Sequence, residues 1–199
     1  MKRTELKRKD IVEAAIEEFS THGFEGARTA QIAKSAAVST RTLFNHFPTK
    51  EALFGHMVDI VIEQTGAITS APYDPSRPIR DQLIKSLQDY ISAITDDVYM
   101  RLNRMVMSEY LRDQELARRI FAHAEMNTNP VRGIIEGAVA AKVLNDVDPQ
   151  YATDLLSGPA IRLFFWPQFL VGAEVSQDAR TVYEDSVDMF LARFGKKAN

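Results

Sequence analysis

The chain has no cysteine among its 199 residues, so it can hold neither a disulfide framework nor a thiolate metal site. It also lacks a long apolar run. Its most hydrophobic stretch, AIRLFFWPQFLVGA, is interrupted by Arg162, Pro167 and Gln168 and is too short to span a bilayer. The amino-terminal residues MKRTELKRKD are charged, which argues against a secretory signal. There is no Gly-rich phosphate loop, no His-Glu-x-x-His pair, and no window of strand alternation punctuated by turn dipeptides. His123 and Glu125 come nearest to a catalytic cluster, but residues two apart point to different faces of a helix. These absences disfavour an enzyme, a membrane-spanning chain and a β fold. The expectation they leave is a soluble, cytoplasmic, all-α protein with no membrane contact, no cofactor and no metal.

What is present is ordinary in bulk and uneven in distribution. With 45% hydrophobic and 26% charged residues, the chain can bury a real core. Its net charge of −3 conceals a basic head: residues 1–50 carry nine Lys/Arg against six Asp/Glu, and the remainder nets −6. A basic segment on an acidic body suits an anionic partner for the head. Lys2, Arg3, Lys7, Arg8 and Lys9 add nonspecific, salt-sensitive affinity for such a partner.

Apolar residues at Ile11, Val12, Ala15, Ile16 and Phe19 form one helical stripe over Asp10 to Thr21. Gly23 suits a left-handed cap after it, letting Phe24 fold back onto the stripe. Thr29 is placed to cap a second short helix that buries Ile32, Ala33 and Ala36. A third, in TRTLFNHF, turns Leu43 and Phe47 inward and stops at Pro48. Thr49 caps a fourth, carrying Leu53, Phe54, Met57 and Val58. TSAPYDPSRP, with its three prolines, reads as a linker. Beyond it, helical periods cover Ile79 to Ile94, Val98 to Leu111, Asp113 to Asn127, the stretch after Pro130, Asp148 to Gly172, and Asp178 to Phe194. The predicted architecture is an N-terminal three-helix head over residues 1–54, a fourth helix at 50–68 bridging onward, and a larger helical domain over 69–199, about nine helices in all.

The head carries the chemistry. Two short helices joined by a tight turn, the second rich in short polar and basic side chains, are the layout of a helix-turn-helix whose second helix enters the DNA major groove. Ala33 permits close crossing of the helices, Ala37 sits at the turn, and Val38 and Leu43 pin the second helix inward. Ser39, Thr40, Arg41, Thr42, Phe44, Asn45 and His46 are left facing outward, or nearly so. Arg and Asn make bidentate contacts to guanine and adenine edges, and Ser and Thr hydroxyls suit phosphate oxygens. One residue is out of keeping. The turn favours positive φ, which costs Ala37 roughly 1 kcal/mol relative to glycine or forces a different turn.

The run AAIEEFSTHGFEGARTAQIAKSAAVSTRTLFNHFPTKEALF resembles the DNA-binding head of TetR-type transcriptional regulators. The elements that carry the resemblance are Phe19, Gly23 and Phe24, Ile32-Ala33, Val38-Ser39, Thr42-Leu43-Phe44, Phe47, and Lys50-Glu51-Ala52-Leu53, over about a quarter of the chain. The resemblance implies that Thr29 and Thr42 touch phosphates, that Lys50 holds a phosphate beside the fourth helix, and that residues 39–46 read bases. Phe44 stands where relatives carry Tyr, leaving apolar contact with a sugar or a thymine methyl. Arg28, just ahead of Thr29, adds a phosphate contact, and Ala37 replaces glycine. The function implied is a ligand-responsive regulator of transcription: a homodimeric repressor on a palindromic operator in double-stranded DNA, released by a small hydrophobic or cationic effector. The alternative is a helical protein-interaction module with a vestigial head, distinguished by the absence of a steep salt dependence.

In the body, Met105, Glu109, Phe121, Glu125 and Phe165 are the candidate effector-pocket residues. Methionine adapts to varied apolar ligands, and Glu109 offers a counter-charge, although a methionine stripe at helical spacing also suits plain core. Aromatics at 164, 165, 166 and 169 surround their helix, and a helix apolar on every side must be covered on every side. Phe164, Trp166 and Phe169, with Val187 and Phe190 of the last helix, are therefore expected at a dimer interface. The resemblance implies two helices from each subunit there, and a twofold axis that sets the reading helices about one DNA turn apart.

Overall fold

Helices form at most of the apolar periods, their ends set by capping side chains and by residues that break the period, and the period expected over Asp113 to Asn127 lies mostly outside the described residues. In the computed structural model, which describes residues 3–66, 72–110, 114, 115, 118 and 129–196, no strand occurs among the described residues. In chain order the helices are α1 (Arg3–Gly26), α2 (Thr29–Ser35), α3 (Thr40–His46), α4 (Lys50–Gly66), α5 (Ile79–Ile94), α6 (Asp97–Tyr110), α7 (Val131–Ala140), α8 (Pro149–Ala160), α9 (Trp166–Val171) and α10 (Ala179–Phe194). They divide into two compact units, one holding α1–α4 and α6, the other α5 and α7–α10. Among the described residues, no helix is long and apolar enough to cross a membrane.

In the first unit, α1 is longer than its apolar stripe because the basic segment continues the helix. Gly23 kinks it at φ 68°, ψ 174°. This is not the left-handed cap expected from sequence but a region open essentially to glycine alone. The kink turns Phe24 back onto Phe19, with ring centroids 5.8 Å apart, and edge-on to Phe54 at 5.2 Å. α2 begins at Thr29 with Arg28 as its cap, and the Arg28 side chain makes no capping hydrogen bond. Its other end closes with Ala37 N–H donating to Lys34 O (3.1 Å) and Val38 N–H to Ala33 O (2.9 Å), while Ala37 sits at φ 52°. This is a Schellman closure with alanine at the position glycine usually takes. Ser39 then caps α3, its Oγ accepting the Thr42 N–H at 3.0 Å. Phe47, preceding Pro48, is extended at φ −138°, ψ 99°, as sterics ahead of proline demand. Thr49 Oγ1 accepts the Ala52 N–H (3.0 Å) and starts α4.

One core joins these helices, built on Ile11, Phe19, Ile32, Leu43, Leu53 and Met57. Leu102, Met105 and Val106 of α6 belong to the same core. The compact unit around the head therefore extends well beyond residues 1–54.

In the second unit, α7 ends as α2 does: Lys142 at φ 59°, with Lys142 N–H on Val139 O and Val143 N–H on Ala138 O, both at 2.9 Å. Asp148 caps α8 through the Tyr151 N–H (2.8 Å), with Pro149 in the first turn. Between α8 and α9 the helix widens into a π turn over Ile161–Phe165, closed by Trp166 N–H on Ile161 O. Pro167 brings no N–H to the ladder here, and Gln168 Nε2 donates to Phe164 O at 2.6 Å. Gly172, left-handed at φ 63°, ends α9.

The proline-rich segment is not a loose linker over residues 72–78. Asp74 Oδ1 accepts the Ser76 N–H (2.9 Å), and the buried Gln82 side chain accepts the Asp74 N–H and donates to Asp74 O and Arg77 O, all at 2.9 Å. Tyr73 packs so closely on α7 that a Cβ at Gly137 would come within 2.5 Å of its own Cβ.

The residues expected at a dimer interface are for the most part covered within the chain itself. Phe164, Phe169, Val187 and Phe190 are buried by the chain's own helices, and Trp166 is half-buried. The rings hide one another: Phe164 lies 5.5 Å from Tyr183, and Phe169 lies 5.0 Å from Phe165 and 5.8 Å from Trp166. Among the described residues of the second unit, the large apolar side chains left exposed are others, namely Tyr151 and Leu155 on α8, Leu170 and Val171 on α9, and Met189 on α10.

Candidate nucleic-acid interface

α3 has only seven residues, and isolated helices of that length do not persist in water. It is held by Leu43, fully buried, by Phe47 behind it, and by the Ser39 cap. The opposite face is thereby left outward. Thr40, Arg41, Phe44 and Asn45 are exposed, and Arg41, Phe44 and Asn45 share a face by their spacing of three and four. Thr42 and His46 are half-buried at its margins. The Thr42 hydroxyl lies 2.8 Å from Ser39 Oγ, so the two hydroxyls form one pair at the start of the helix.

Beside α3 lies an open cleft of about 510 Å³, lined by Arg28, Thr29, Phe44, Pro48, Thr49 and Lys50. The starts of α2 and α4 converge on it, and unpaired N–H groups at helix starts favour phosphate oxygens. Arg28 is exposed and Thr29 half-buried, and the Arg28 main-chain N–H is taken by Glu18 Oε1 at 3.0 Å. Lys50, to which the resemblance gives a phosphate, lines this cleft and is engaged with the main chain. Its Nζ donates to the main-chain oxygens of Phe24 (2.7 Å), Glu25 (3.3 Å) and Ala27 (3.4 Å). Nothing in the local sequence announces this, because the acceptors lie more than twenty residues earlier. The basic residues Lys7, Arg8 and Lys9 sit on α1; Arg8 stands 4.5 Å over the Phe47 ring, and Lys9 pairs with Glu13 at 3.6 Å.

The candidate pocket residues do not all meet. Met105 and Glu109 line a cleft of about 510 Å³ in the first unit with Phe19, His22, Arg101 and Arg104, a charged lining where an apolar one was expected. Met105 is buried in the head's core, and Glu109 Oε1 accepts the Phe24 N–H at 3.0 Å. Phe165 belongs to the second unit, stacked on Phe169. Phe121 and Glu125 lie outside the described residues. A cleft of about 560 Å³ in the second unit, lined by Tyr73, Gln82, Lys85, Ser86, Pro130 and Ile134, escaped sequence reasoning. Its signal was the Asp-Pro-Ser turn inside the supposed linker.

Comparison with known proteins agrees with this geometry. Residues 11–57 match the family described as bacterial regulatory proteins, tetR family, and residues 81–196 match the AefR-like transcriptional repressor C-terminal domain. The chain is 30% identical over 157 residues to the HTH-type transcriptional regulator RutR of Escherichia coli K12, spanning 73% of this chain and 68% of that protein. It is 24% identical over 160 residues to the HTH-type transcriptional regulator LuxR of Vibrio harveyi, spanning 80% and 78%. A crystal structure of a TetR family transcriptional regulator from Pseudomonas syringae pv. tomato superposes with a TM-score of 0.82 at 31% identity, covering 96% of this chain and 98% of that one.

Proposed function

The chain belongs to the TetR family of transcriptional regulators, and on that premise we propose that it represses from a palindromic operator as a homodimer and is released by a small hydrophobic or cationic effector. The observation that carries the operator reading is the division of labour on α3. Leu43 is wholly buried, while Arg41 and Asn45, the two side chains suited to bidentate base contacts, are exposed on the opposite side. Thr40, Phe44 and His46 flank them, and Arg28, Thr29, Ser39 and Thr42 supply backbone contacts at the helix starts.

Repression is supported by the match of residues 81–196 to a repressor's C-terminal domain. A dimer is supported by Tyr151 and Leu155, one turn apart on α8, and by Met189 on α10, which packs against α8. A twofold contact across such a helix pair presents two heads to the two halves of a palindrome. The cleft beside Tyr73 and Ile134 offers space for an effector. Such a ligand releases DNA by binding better to a state whose heads are wrongly spaced, and a ligand indifferent to the two states releases nothing.

The test is selection of bound sequences from random duplex DNA, with size measurement of the protein at micromolar concentration. The wild type should enrich a palindrome and run as a dimer. Arg41→Ala with Asn45→Ala should lose the enrichment while keeping helical content and dimer. Equal enrichment by the double variant would mean that α3 does not read the operator, and a monomer would refute the twofold arrangement.

A further inference from the structure

Lys50 lies on the cleft beside α3, where an uncommitted ammonium would meet a phosphate. Its ammonium is committed. Three N–H groups face three main-chain oxygens, those of Phe24, Glu25 and Ala27, at 2.7, 3.3 and 3.4 Å. The nitrogen also stands 4.6 Å from the centre of the Phe24 ring, whose face attracts a cation. The first two oxygens belong to the short turn that follows the Gly23 kink, where carbonyls have no helical partners.

The rest of this connection is held from elsewhere. Glu109 Oε1 takes the Phe24 N–H and Glu18 Oε1 takes the Arg28 N–H, each at 3.0 Å. Just ahead, Gly23 occupies a backbone region with little intrinsic preference to hold it. Three charged side chains from different turns and helices thus fix the path from α1 into α2, and Lys50 satisfies the largest share of its carbonyls. A phosphate could take the ammonium only by stripping one of those oxygens of its donor.

We propose that Lys50 is a positioning residue: its ammonium fixes the Gly23–Arg28 connection, and so the placement of α2 and α3 for DNA, instead of neutralising a phosphate. Its DNA consequences rest on the operator reading above; its effect on the connection does not. A cage of three carbonyls fits a compact ammonium and not a planar guanidinium, whereas a phosphate accepts either cation and favours the guanidinium.

Two readouts on the full-length chain test this, with Lys50→Met and Lys50→Arg as variants. The first needs no DNA: amide hydrogen exchange at Ala27, Gln31 and Ile32, whose N–H groups bond to Gly23 O and Arg28 O. Exchange should speed up in both variants, and unchanged exchange overturns the proposal. The second is affinity for the selected duplex across a potassium chloride series. Each variant should bind about tenfold or more weakly, with the slope of log K against log salt unchanged. A slope shallower by about 0.9 in Lys50→Met, with wild-type affinity in Lys50→Arg, identifies a phosphate contact and overturns it. Unchanged affinity in both variants overturns it as well. If Lys50→Met does not fold, Lys50→Arg carries both readouts. A wild type that enriches no duplex refutes the operator reading, and exchange still decides the role of Lys50.

Discussion

Replacing Ala37 by glycine should stabilise the head, and the structure sets the size of the effect. Ala37 sits at φ 52° in the closure between α2 and α3. A left-handed backbone costs an L-residue with a Cβ roughly 1–2 kcal/mol. Against this, glycine carries more conformational freedom in the unfolded chain, a penalty of about 0.4–1 kcal/mol. Ala37 is exposed, so deleting its methyl group forfeits little packing. The balance favours glycine by about 1 kcal/mol, which for a unit of the head's size raises its melting midpoint by about 4–8 °C.

The two units allow an internally controlled assay. Trp166 is the chain's one tryptophan and lies in the second unit, so its fluorescence follows that unit, while far-UV circular dichroism follows both. Ala37→Gly should raise the dichroism midpoint of the head and leave the fluorescence transition in place. Lys142→Gly, at φ 59° in the matching closure of α7, should do the reverse. Ala36→Gly, one residue earlier at φ −77°, ψ 3° and buried, should destabilise the head. If Ala37→Gly is neutral or destabilising while Ala36→Gly behaves as expected, the turn stores no strain at position 37 and the reasoning is wrong.

Gly23→Ala should destabilise the head by about 1–3 kcal/mol through backbone strain alone, because a Cβ at Gly23 would meet nothing nearer than Glu109 Oε1 at 3.7 Å. An unchanged dichroism midpoint would show that space, not conformation, governs the site. Asp188 accepts the Arg80 fork at 2.6 and 2.9 Å, and those hydrogen bonds hold its carboxyl below the ordinary carboxylate value. A depressed carboxylate contributes stability above its unfolded pKa and loses it as pH falls through the folded one. Asp188→Asn should therefore trail the wild type in the fluorescence midpoint at neutral pH and converge with it below about pH 4; a gap that persists into acid would mean the ion pair is not its source.

Much of this architecture is legible because period and caps are local properties. Ile79–Ile94 was readable to the residue, and Thr49, Asp148 and Asp178 mark helix starts in sequence as they do in space. What was not legible is pairing between distant segments. A stripe such as Leu102, Met105 and Val106 looks the same whether it closes a ligand pocket or the head's core. The aromatics from Phe164 to Phe169 illustrate the same limit: a helix apolar all round must be covered, but sequence does not say that the rings cover one another. Thr29 was a reasonable cap by residue type, yet Arg28 holds the extended cap backbone and its N–H goes to Glu18.

The residues that place the reading helix are separate from those that read, and this separation gives the mutations their meaning. Leu43, Phe47, the Ser39 cap and the closure at Ala37 and Val38 hold α3 against the core. Arg41 and Asn45 are exposed on the side of α3 opposite Leu43, and substitutions at such surface positions usually shift stability by less than about 0.5 kcal/mol. Loss of operator binding in Arg41→Ala with Asn45→Ala would then report lost base contacts and not a misplaced helix. Lys50 belongs with the first group by its bonds, although its position on the cleft would assign it to the second. Its salt slope is therefore the sharper discriminator. A head whose affinity falls with an unchanged slope has lost placement, and one whose slope falls has lost charge at the phosphate.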